Sequence, residues 1–383
     1  MSLTALSWQH KQPLFLPWLA LMILGLIMVS TASTGAGEHL AHNYWYFITR
    51  QIIYVFLGLI TFYVVSLIPI RLWQKWDVVF LLIAIVALML VFMPGIGHEV
   101  KGSRRWLNLG IIKVQASEIA KLAIVLFTSG YLVRRQEEVM QSWKGFAKPL
   151  AIIGLMLALL LLEPDFGAAF VLAGAVMVQL FLGGVKAGQY FLLVIVVAVL
   201  GILALSFETY RMERIMAYLD PWAPEHVYGT GYQLTQSLIA FGRGELFGVG
   251  LGESIQKLFY LPEAHTDFVF AIWAEETGLV GALFALSLLI WLTALIWHSV
   301  WQQQKNMKMY AAYCSAGIAV LFSLQILINI GVNTGMLPTK GLTLPFYSYG
   351  GSSLLICCTM VAIVLRLNYE DLSAVENAEA AHG

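Results

Sequence analysis

The chain has 383 residues, of which 60% are apolar and only 11% are charged. Soluble globular proteins carry roughly 25% charged residues, so this composition excludes an ordinary water-soluble globule. The 22 basic and 22 acidic side chains balance, and the lack of a basic excess argues against a nucleic-acid partner. The apolar runs are continuous rather than alternating, which argues against a transmembrane β-barrel.

Ten apolar segments have a length suited to a membrane-spanning helix, which takes roughly 17–25 residues. In chain order they cover residues 14–34, 46–69, 77–94, 114–133, 147–163, 166–184, 188–207, 268–297, 309–333 and 351–368. The first segment resembles a signal peptide, but because nine more follow we interpret it as a retained span. The sequence predicts an all-α polytopic membrane protein with about ten transmembrane helices.

Two connections are too long to be ordinary loops. Residues 95–113 are rich in glycine and basic residues, and residues 208–267 join the seventh and eighth spans. We predict a single transmembrane domain over residues 1–370, with 208–267 as a large extracytoplasmic loop. Residues 371–383 are small and acidic and are predicted to form a disordered cytoplasmic tail.

Lys and Arg residues in short loops indicate the orientation of a membrane protein. With the N-terminus in the cytoplasm, eleven of these residues fall on the cytoplasmic side and five on the outer side. This distribution predicts that both termini are cytoplasmic. Four of the five outer cations lie within residues 101–113, although Lys and Arg usually favour the cytoplasmic side. They form either a solvated loop or a binding site for an anion such as a lipid diphosphate.

The first candidate site is this basic stretch together with the start of the next span. Arg104, Arg105 and Trp106 are predicted to form a phosphate-binding fork at the membrane interface. Glu118 and Lys121 lie three residues apart and share a helix face. They either make a structural ion pair or face a buried functional site.

The second candidate site is a short connection in which Glu163 and Asp165 flank a proline. Paired carboxylates are typical of acid–base chemistry. Asp165 alone would equally suit the N-cap of the next helix. The sequence leaves both interpretations open.

The long segment 208–267 contains a short amphipathic helix. Leu234, Leu238 and Phe241 share one face of it, which could rest on the membrane surface. Arg243, a further candidate for phosphate binding, follows among five glycines, a composition that favours a flexible loop approaching an active site closely. No strand–turn–helix unit surrounds the glycines, so they do not indicate a dinucleotide site.

Asp267 stands where the long segment enters the eighth span, beside Glu263 and His265. A carboxylate at the outer surface can act as a general base, or it can simply cap the helix. Glu275 is expected on the same helix face, about 12 Å away. That separation is too large for the carboxylate pair of a retaining glycosidase.

The connection between the last two spans mixes proline, glycine and hydroxyl residues with one cation, Lys340. Lys340 either binds a phosphate or snorkels to the interface. Ser348 and Ser352 are further candidates for phosphate binding. The three cysteines lie in apolar runs, and no Cys/His spacing indicates a metal site. The sequence identifies no cofactor and does not show whether a divalent cation is needed.

Together these residues resemble the SEDS family (shape, elongation, division and sporulation) over roughly residues 14–368. The run Pro262-Glu-Ala-His-Thr-Asp-Phe268 is highly specific to that family. The loop from Leu337 to Ser353, with its Thr-Lys pair, resembles the division branch. The chain departs from the family at Ala116, where proline is frequent, and at Ala168, where threonine is frequent. Both departures affect helix geometry more than chemistry.

The resemblance implies a septal peptidoglycan glycosyltransferase in the bacterial cytoplasmic membrane. Its substrate would be lipid II, the undecaprenyl-diphosphate-linked disaccharide-peptide. The family's essential aspartate matches Asp267, the expected general base of an inverting transfer that releases undecaprenyl diphosphate. The implied partners are an FtsI-like class B penicillin-binding protein transpeptidase, FtsQ/FtsL/FtsB-type divisome proteins and membrane lipids. A lipid II flippase and a non-catalytic scaffold that activates the transpeptidase are the alternatives.

Overall fold

The computed structural model describes residues 9, 12–100, 103–108, 113–206 and 209–382. These residues form helices and one small sheet. The elements are α1 (Phe15–Ala32), α2 (Thr34–Ala41), α3 (Tyr46–Leu67), α4 (Ile70–Lys75), α5 (Asp77–Leu90), β1 (Gly97–Val100), β2 (Ser103–Asn108), β3 (Lys113–Gln115), α6 (Ala116–Arg134), α7 (Gln136–Gln141), α8 (Trp143–Leu162), α9 (Phe166–Leu182), α10 (Ala187–Ser206), α11 (Thr209–Leu219), α12 (Pro224–Val227), α13 (Tyr232–Gly244), α14 (Val269–Lys305), α15 (Met309–Asn333) and α16 (Gly351–His382).

Every predicted span coincides with a helix, namely α1, α3, α5, α6, α8, α9, α10, α14, α15 and α16. Seven of these are long and apolar enough to cross a membrane. The other three, α5, α9 and the part Ala187–Gly201 of α10, are apolar but shorter. Continuous apolar runs of this length leave their backbone polar groups no partner in lipid except within the helix itself. The predicted all-α polytopic membrane fold is confirmed.

The helices α6 and α15 form the centre of the bundle, and most of their side chains are buried. Both are rich in small residues, which let neighbouring backbones approach closely where no water drives association. A Cβ at Gly317 of α15, for example, would lie 2.6 Å from a Val125 methyl group of α6. By contrast, α10 exposes large apolar side chains such as Phe191 and Leu200, as expected of a lipid-facing helix.

The basic connection predicted as a loop is a three-stranded antiparallel sheet in the order β1-β2-β3. Leu107 of β2 pairs with Gly97 of β1 and with Val114 of β3. Lys101, one of the outer cations of the sequence prediction, and residues 109–112 lie outside the described residues. The strands are only three to six residues long, too short for an alternating pattern to reveal them.

The long segment before α14 is also more ordered than the predicted loop, since it contains α11, α12, α13 and a π-helical turn at Gln256–Tyr260. The apolar face of α13 rests on protein rather than on the membrane. Leu234 is 2% exposed, and the ring of Phe241 lies 6.0 Å from that of Phe270 in α14. This packing fixes the segment over one end of α14 and α15.

The glycine-rich stretch after α13 packs against a break in α14. The backbone of Gly278 has φ 68° and ψ −168°, which interrupts the helical hydrogen bonds. Gly248, at φ 79°, lies so close that a Cβ there would be 2.2 Å from the Glu276 carbonyl oxygen. Glycine suits both positions because it tolerates positive φ and close backbone contact. The predicted close approach therefore exists, but it is to this helix break.

The last helix, α16, extends beyond the tenth predicted span. Its final residues, 371–382, are those assigned to the tail. Alanine and glutamate, both strong helix formers, make up half of this stretch. That composition favours continuation of the helix.

Candidate active site

A cavity of about 360 Å³ lies where the sheet, the α8–α9 turn, the residues before α14 and the α15–α16 connection meet. Each of these segments was predicted to lie on the outer side of the membrane. Nine of the fifteen predicted site residues line the cavity, namely Arg105, Trp106, Glu118, Lys121, Asp165, Glu263, Asp267, Lys340 and Ser352. Motifs up to about 250 residues apart in the chain are thus brought to one place.

Asp267 lies in this cavity, half-buried, two residues before α14. It is not the cap of that helix. The N-cap residue is Phe268, whose carbonyl oxygen accepts the Ala271 N–H at 3.0 Å, and the same N–H also donates to Oδ1 of Asn333 at 3.1 Å. On the other side, Gly341 approaches so closely that a Cβ there would lie 2.9 Å from Asp267 Oδ2. Asp267 therefore lines the cavity and is not the N-cap of α14.

Arg105 ties the sheet to the α8–α9 turn at the edge of the cavity. Its guanidinium donates to the Glu163 carbonyl oxygen at 3.2 Å and to the Pro164 carbonyl oxygen at 2.7 Å. The hydroxyl of Ser103 donates to the same Glu163 carbonyl at 3.0 Å. These bonds hold the cation in a fixed orientation toward the cavity.

Lys340 lines the cavity and belongs to the α15–α16 connection. Two side chains of α11 donate hydrogen bonds to the backbone of this connection. Arg214 of α11 lines the same cavity and donates to the Thr339 carbonyl oxygen at 3.1 Å. The Tyr218 hydroxyl, one turn later, donates to the Met336 carbonyl oxygen at 2.9 Å. Arg214 was not among the predicted binding residues, because its charge faces the cavity only through the fold of the long segment.

Glu118 and Lys121 form the predicted ion pair, with Lys121 Nζ 2.9 Å from Glu118 Oε1. Both side chains are at least nine-tenths buried, and both line the cavity. The pair is thus structural and at the same time part of the cavity wall. It places a cation and an anion at the depth where α6 enters the bundle.

Asp165 is the cap of α9, as the simpler interpretation predicted. Its Oδ1 accepts from the Ala168 N–H at 3.2 Å, and its Oδ2 accepts from the Gln115 amide at 3.3 Å. Glu263 also lines the cavity and accepts from the Thr266 hydroxyl at 2.6 Å. These two carboxylates are engaged in holding the walls of the cavity.

Six predicted residues lie outside the cavity lining, and four of them make local contacts near it. Arg104 pairs with Glu99 at 3.1 Å on the exposed side of the sheet. Ser348 accepts from the Leu344 N–H at 2.7 Å inside its own turn. The ring of His265 packs against that of Phe47, 4.5 Å away. Glu163 contributes its backbone carbonyl to Arg105, while its side chain is buried.

Arg243 and Glu275 form a separate cluster behind the glycine-rich stretch. Arg243 lies 2.8 Å from Glu275 Oε1, and the Ser254 hydroxyl donates to the other oxygen. Two backbone N–H groups, of Ile255 and Gln256, also donate to this carboxylate. The expected common face of Asp267 and Glu275 does not form because Asp267 precedes the helix.

The charges of the cavity lining balance. Four cations, Arg105, Lys121, Arg214 and Lys340, face four carboxylates, Glu118, Asp165, Glu263 and Asp267. Neutral polar side chains that sequence reasoning missed complete the lining, among them Gln115, Gln233, Thr343 and Tyr349. Their residue types carry no signal in isolation. An anionic ligand would therefore be recognised by where the cations stand and not by a net positive charge.

Within the described residues, no group of three or more His, Cys, Asp or Glu side chains is arranged to hold a metal ion. The three cysteines, Cys314, Cys357 and Cys358, are buried and unpaired by disulfides. They lie in α15 and α16, where they act as small apolar residues.

Residues 11–372 match the FtsW/RodA/SpoVE family model, which is described as a cell cycle protein. The chain is 49% identical over 355 residues to the "Probable peptidoglycan glycosyltransferase FtsW" of Legionella pneumophila, covering 92% of this chain and 89% of the relative. It is 46% identical over 368 residues to the protein of the same name from Coxiella burnetii, covering 96% and 98%.

Two solved structures share the fold over nearly the whole chain. One, from work on the "structural coordination of polymerization and crosslinking by a peptidoglycan synthase complex", has a TM-score of 0.75 at 27% identity and covers 94% of this chain and 97% of that chain. The other is the rod shape determining protein RodA of Thermus thermophilus, with a TM-score of 0.69 at 25% identity, covering 93% and 96%.

Proposed function

The chain belongs to the FtsW/RodA/SpoVE family of cell cycle proteins, and on that premise we propose that it is a peptidoglycan glycosyltransferase of the FtsW type. It polymerises lipid II into β-1,4 glycan strands during cell division. The observation that carries the proposal is the cavity itself. In it Asp267, which is not the N-cap of α14, lies among four cations. Relatives that carry this activity in their names align with nearly the whole chain.

The chemistry requires a base on the acceptor sugar. Asp267 removes the proton from the acceptor 4-hydroxyl, and the oxygen attacks the anomeric carbon of the donor. The bond from that carbon to the phosphate oxygen breaks, and its electron pair leaves with undecaprenyl diphosphate. Because this is a single displacement, an α-linked donor gives a β-linked product. Diphosphate is a good leaving group, so no second carboxylic acid is needed.

The cations of the cavity stabilise the departing diphosphate. Arg105, Arg214 and Lys340 come from three different elements and surround the same space as Asp267. Fixed charges aimed at developing negative charge stabilise a transition state most strongly in a site shielded from water. Lys121 is already paired with Glu118, so its share is smaller.

The cellular setting follows from the same proposal. The protein is a multi-pass protein of the inner membrane with both termini in the cytoplasm and the cavity on the outer face, where it works at the septum. A class B penicillin-binding protein transpeptidase crosslinks the strands it makes, and FtsQ/FtsL/FtsB-type divisome proteins join them. The fold it shares with a chain of a peptidoglycan synthase complex supports the transpeptidase partner.

Purified protein in liposomes tests the activity against its two alternatives. We expect lipid II to be converted into gel-resolved glycan strands, with more product when the cognate transpeptidase is present. A fluorescent lipid II translocation assay on the same preparation tests the flippase alternative. Translocation without polymerisation would support the flippase. Neither activity, with normal binding of the transpeptidase, would support the scaffold.

A further inference from the structure

Two buried asparagines of α15 stand directly behind Asp267. Asn329 and Asn333 are one helical turn apart, and they are 2% and 0% exposed. Neither lines the cavity. We propose that they are positioning residues, which fix the Asp267 carboxylate relative to the Lys340 loop.

Asn329 joins the two segments that carry the proposed base and the proposed phosphate ligand. Its Nδ2 donates to the Asp267 carbonyl oxygen at 2.9 Å and to the Leu342 carbonyl oxygen at 2.7 Å. Asp267 and Lys340 are 73 residues apart in the chain. The one side-chain amide of Asn329 nevertheless binds the backbone of both segments. The distance between the two functional side chains is thereby set from α15.

Asn333 adds two further bonds at the same point. Its Nδ2 donates to the Asp267 carbonyl at 3.0 Å, and its Oδ1 accepts the Ala271 N–H at 3.1 Å. The second bond supplies the acceptor that a helix N-terminus usually takes from its own N-cap side chain. Asn333 thereby gives this end of α14 a side-chain acceptor from outside the helix, right beside Asp267.

The pair is itself held rigidly. Asn333 Nδ2 also donates to the Asn329 carbonyl oxygen at 2.9 Å, and the Ser237 hydroxyl of α13 donates to the Asn333 carbonyl oxygen at 2.7 Å. Because α15 lies in the centre of the bundle, its side chains have little freedom to shift. A loop residue, Asp267, is thus positioned by a transmembrane helix.

The inference rests on the proposed role of Asp267 as the base. A displacement of about 1 Å at a reacting group can lower a rate about 100-fold. We therefore expect Asn329→Leu to lower kcat for lipid II polymerisation by about two orders of magnitude, with KM and lipid II binding near the wild-type values. The apolar replacement has a similar size and leaves no new charge.

The matched control is Gln325→Leu, which removes another buried amide of α15 one turn before Asn329. It is expected to retain activity at a similar melting temperature. A double-variant cycle supplies a readout that a merely structural role would not move. If Asn329 acts through Asp267, Asn329→Leu causes no further loss of the residual activity in an Asp267→Asn background.

Three outcomes overturn the proposal. In the first, Asn329→Leu retains the wild-type kcat while Asp267→Asn is strongly impaired. In the second, the two losses multiply in the double variant. In the third, Asn329→Leu and Gln325→Leu lose activity and melting temperature to the same extent. Full activity of Asp267→Asn is a different result, since it removes the proposed base and with it the premise of this inference.

Discussion

Arg104 and Arg105 are neighbours in the sequence but point to opposite faces of β2. Arg104 pairs with Glu99 at 3.1 Å, and about half of its side chain is exposed. Arg105 donates to the Pro164 carbonyl oxygen at 2.7 Å and lines the cavity. Successive side chains of a strand point to opposite faces, so the two arginines cannot bind the same phosphate. The two arginines therefore do not form the expected fork in this structure, and only Arg105 lines the cavity.

This arrangement predicts unequal effects of two chemically identical substitutions. Arg105→Gln is expected to lower kcat/KM for lipid II polymerisation by about 100-fold, the effect of removing a donor to developing charge. Arg104→Gln removes only an exposed ion pair and is expected to leave the rate near the wild-type value. Initial rates on lipid II in liposomes measure both. Equal losses in the two variants would contradict the assignment.

Gly341 offers a test of how tightly the Asp267 carboxylate is held. In Gly341→Ala the new Cβ would lie 2.9 Å from Asp267 Oδ2, so the carboxylate must move. We expect polymerisation to fall by about 10- to 100-fold while the melting temperature stays close to that of the wild type. Gly154→Ala, in a helix position with no atom within 4 Å, is the control and should be fully active.

A buried ion pair between Lys257 and Glu276 is predicted to matter for stability. Lys257 Nζ lies 2.9 Å from Glu276 Oε1, and both side chains are at least 95% buried. Removing one partner leaves a buried, uncompensated charge, so Lys257→Met is expected to cost about 3–5 kcal/mol of unfolding free energy. Replacing both, in Lys257→Met with Glu276→Leu, should restore most of the loss. Unfolding of the purified protein in detergent measures these differences.

The control for that experiment is the exposed ion pair of Lys148 and Glu138. Lys148 Nζ lies 3.1 Å from Glu138 Oε1, and the two side chains are 56% and 38% exposed. Lys148→Met is expected to change stability by less than about 1 kcal/mol. If it destabilises as much as Lys257→Met, burial is not what gives the inner pair its importance.

Glu163 should make stability depend on pH. Burial, followed by repulsion from Asp165, raises the pKa of its carboxyl from 4.5 to about 8, and Arg105 offsets only part of the shift. Between these values the unfolded chain releases the proton while the folded chain keeps it, so stability falls as pH rises from about 4.5 to 8. Glu163→Gln cannot ionise and should flatten this decline. Melting temperatures from pH 5 to 9 test it.

The control variant is Glu137→Gln, at an exposed position of α7, which should keep the wild-type slope. An unchanged slope in Glu163→Gln would show that another group causes the decline.

The spans were predictable because each is a continuous apolar run, which has few structural options in lipid. The sheet at residues 97–115 was not, since its strands are short and polar and pair only after the chain turns back on itself. The helices α11 and α12 were missed for a related reason, whereas α13 was predicted as a short amphipathic helix. The apolar face of α13 finds its partners mainly in α14, and α11 packs against α10, contacts that the local sequence does not show.

The site was predictable in its residue types but not in its grouping. Asp267, Arg105 and Lys340 carry clear chemical signals and do converge. The helix-cap alternative for Asp267 failed because the acceptor comes from Asn333, 66 residues away in the chain. Arg243 was predicted to bind the substrate. In the structure it forms an ion pair with Glu275, a buried carboxylate that the local sequence does not reveal as its partner.

The central claim is that Asp267 is the general base of lipid II polymerisation, and Asp267→Asn tests it most directly. The substitution keeps the size of the side chain and removes only its ability to accept the proton. Gel-resolved polymerisation in liposomes should fall by about 100- to 10,000-fold, the usual contribution of a general base, and leave a small residual rate. Lipid II binding should persist, and Asp220→Asn, at an exposed position outside the cavity, should stay active. Glycan strands formed by Asp267→Asn at the wild-type rate would contradict the claim.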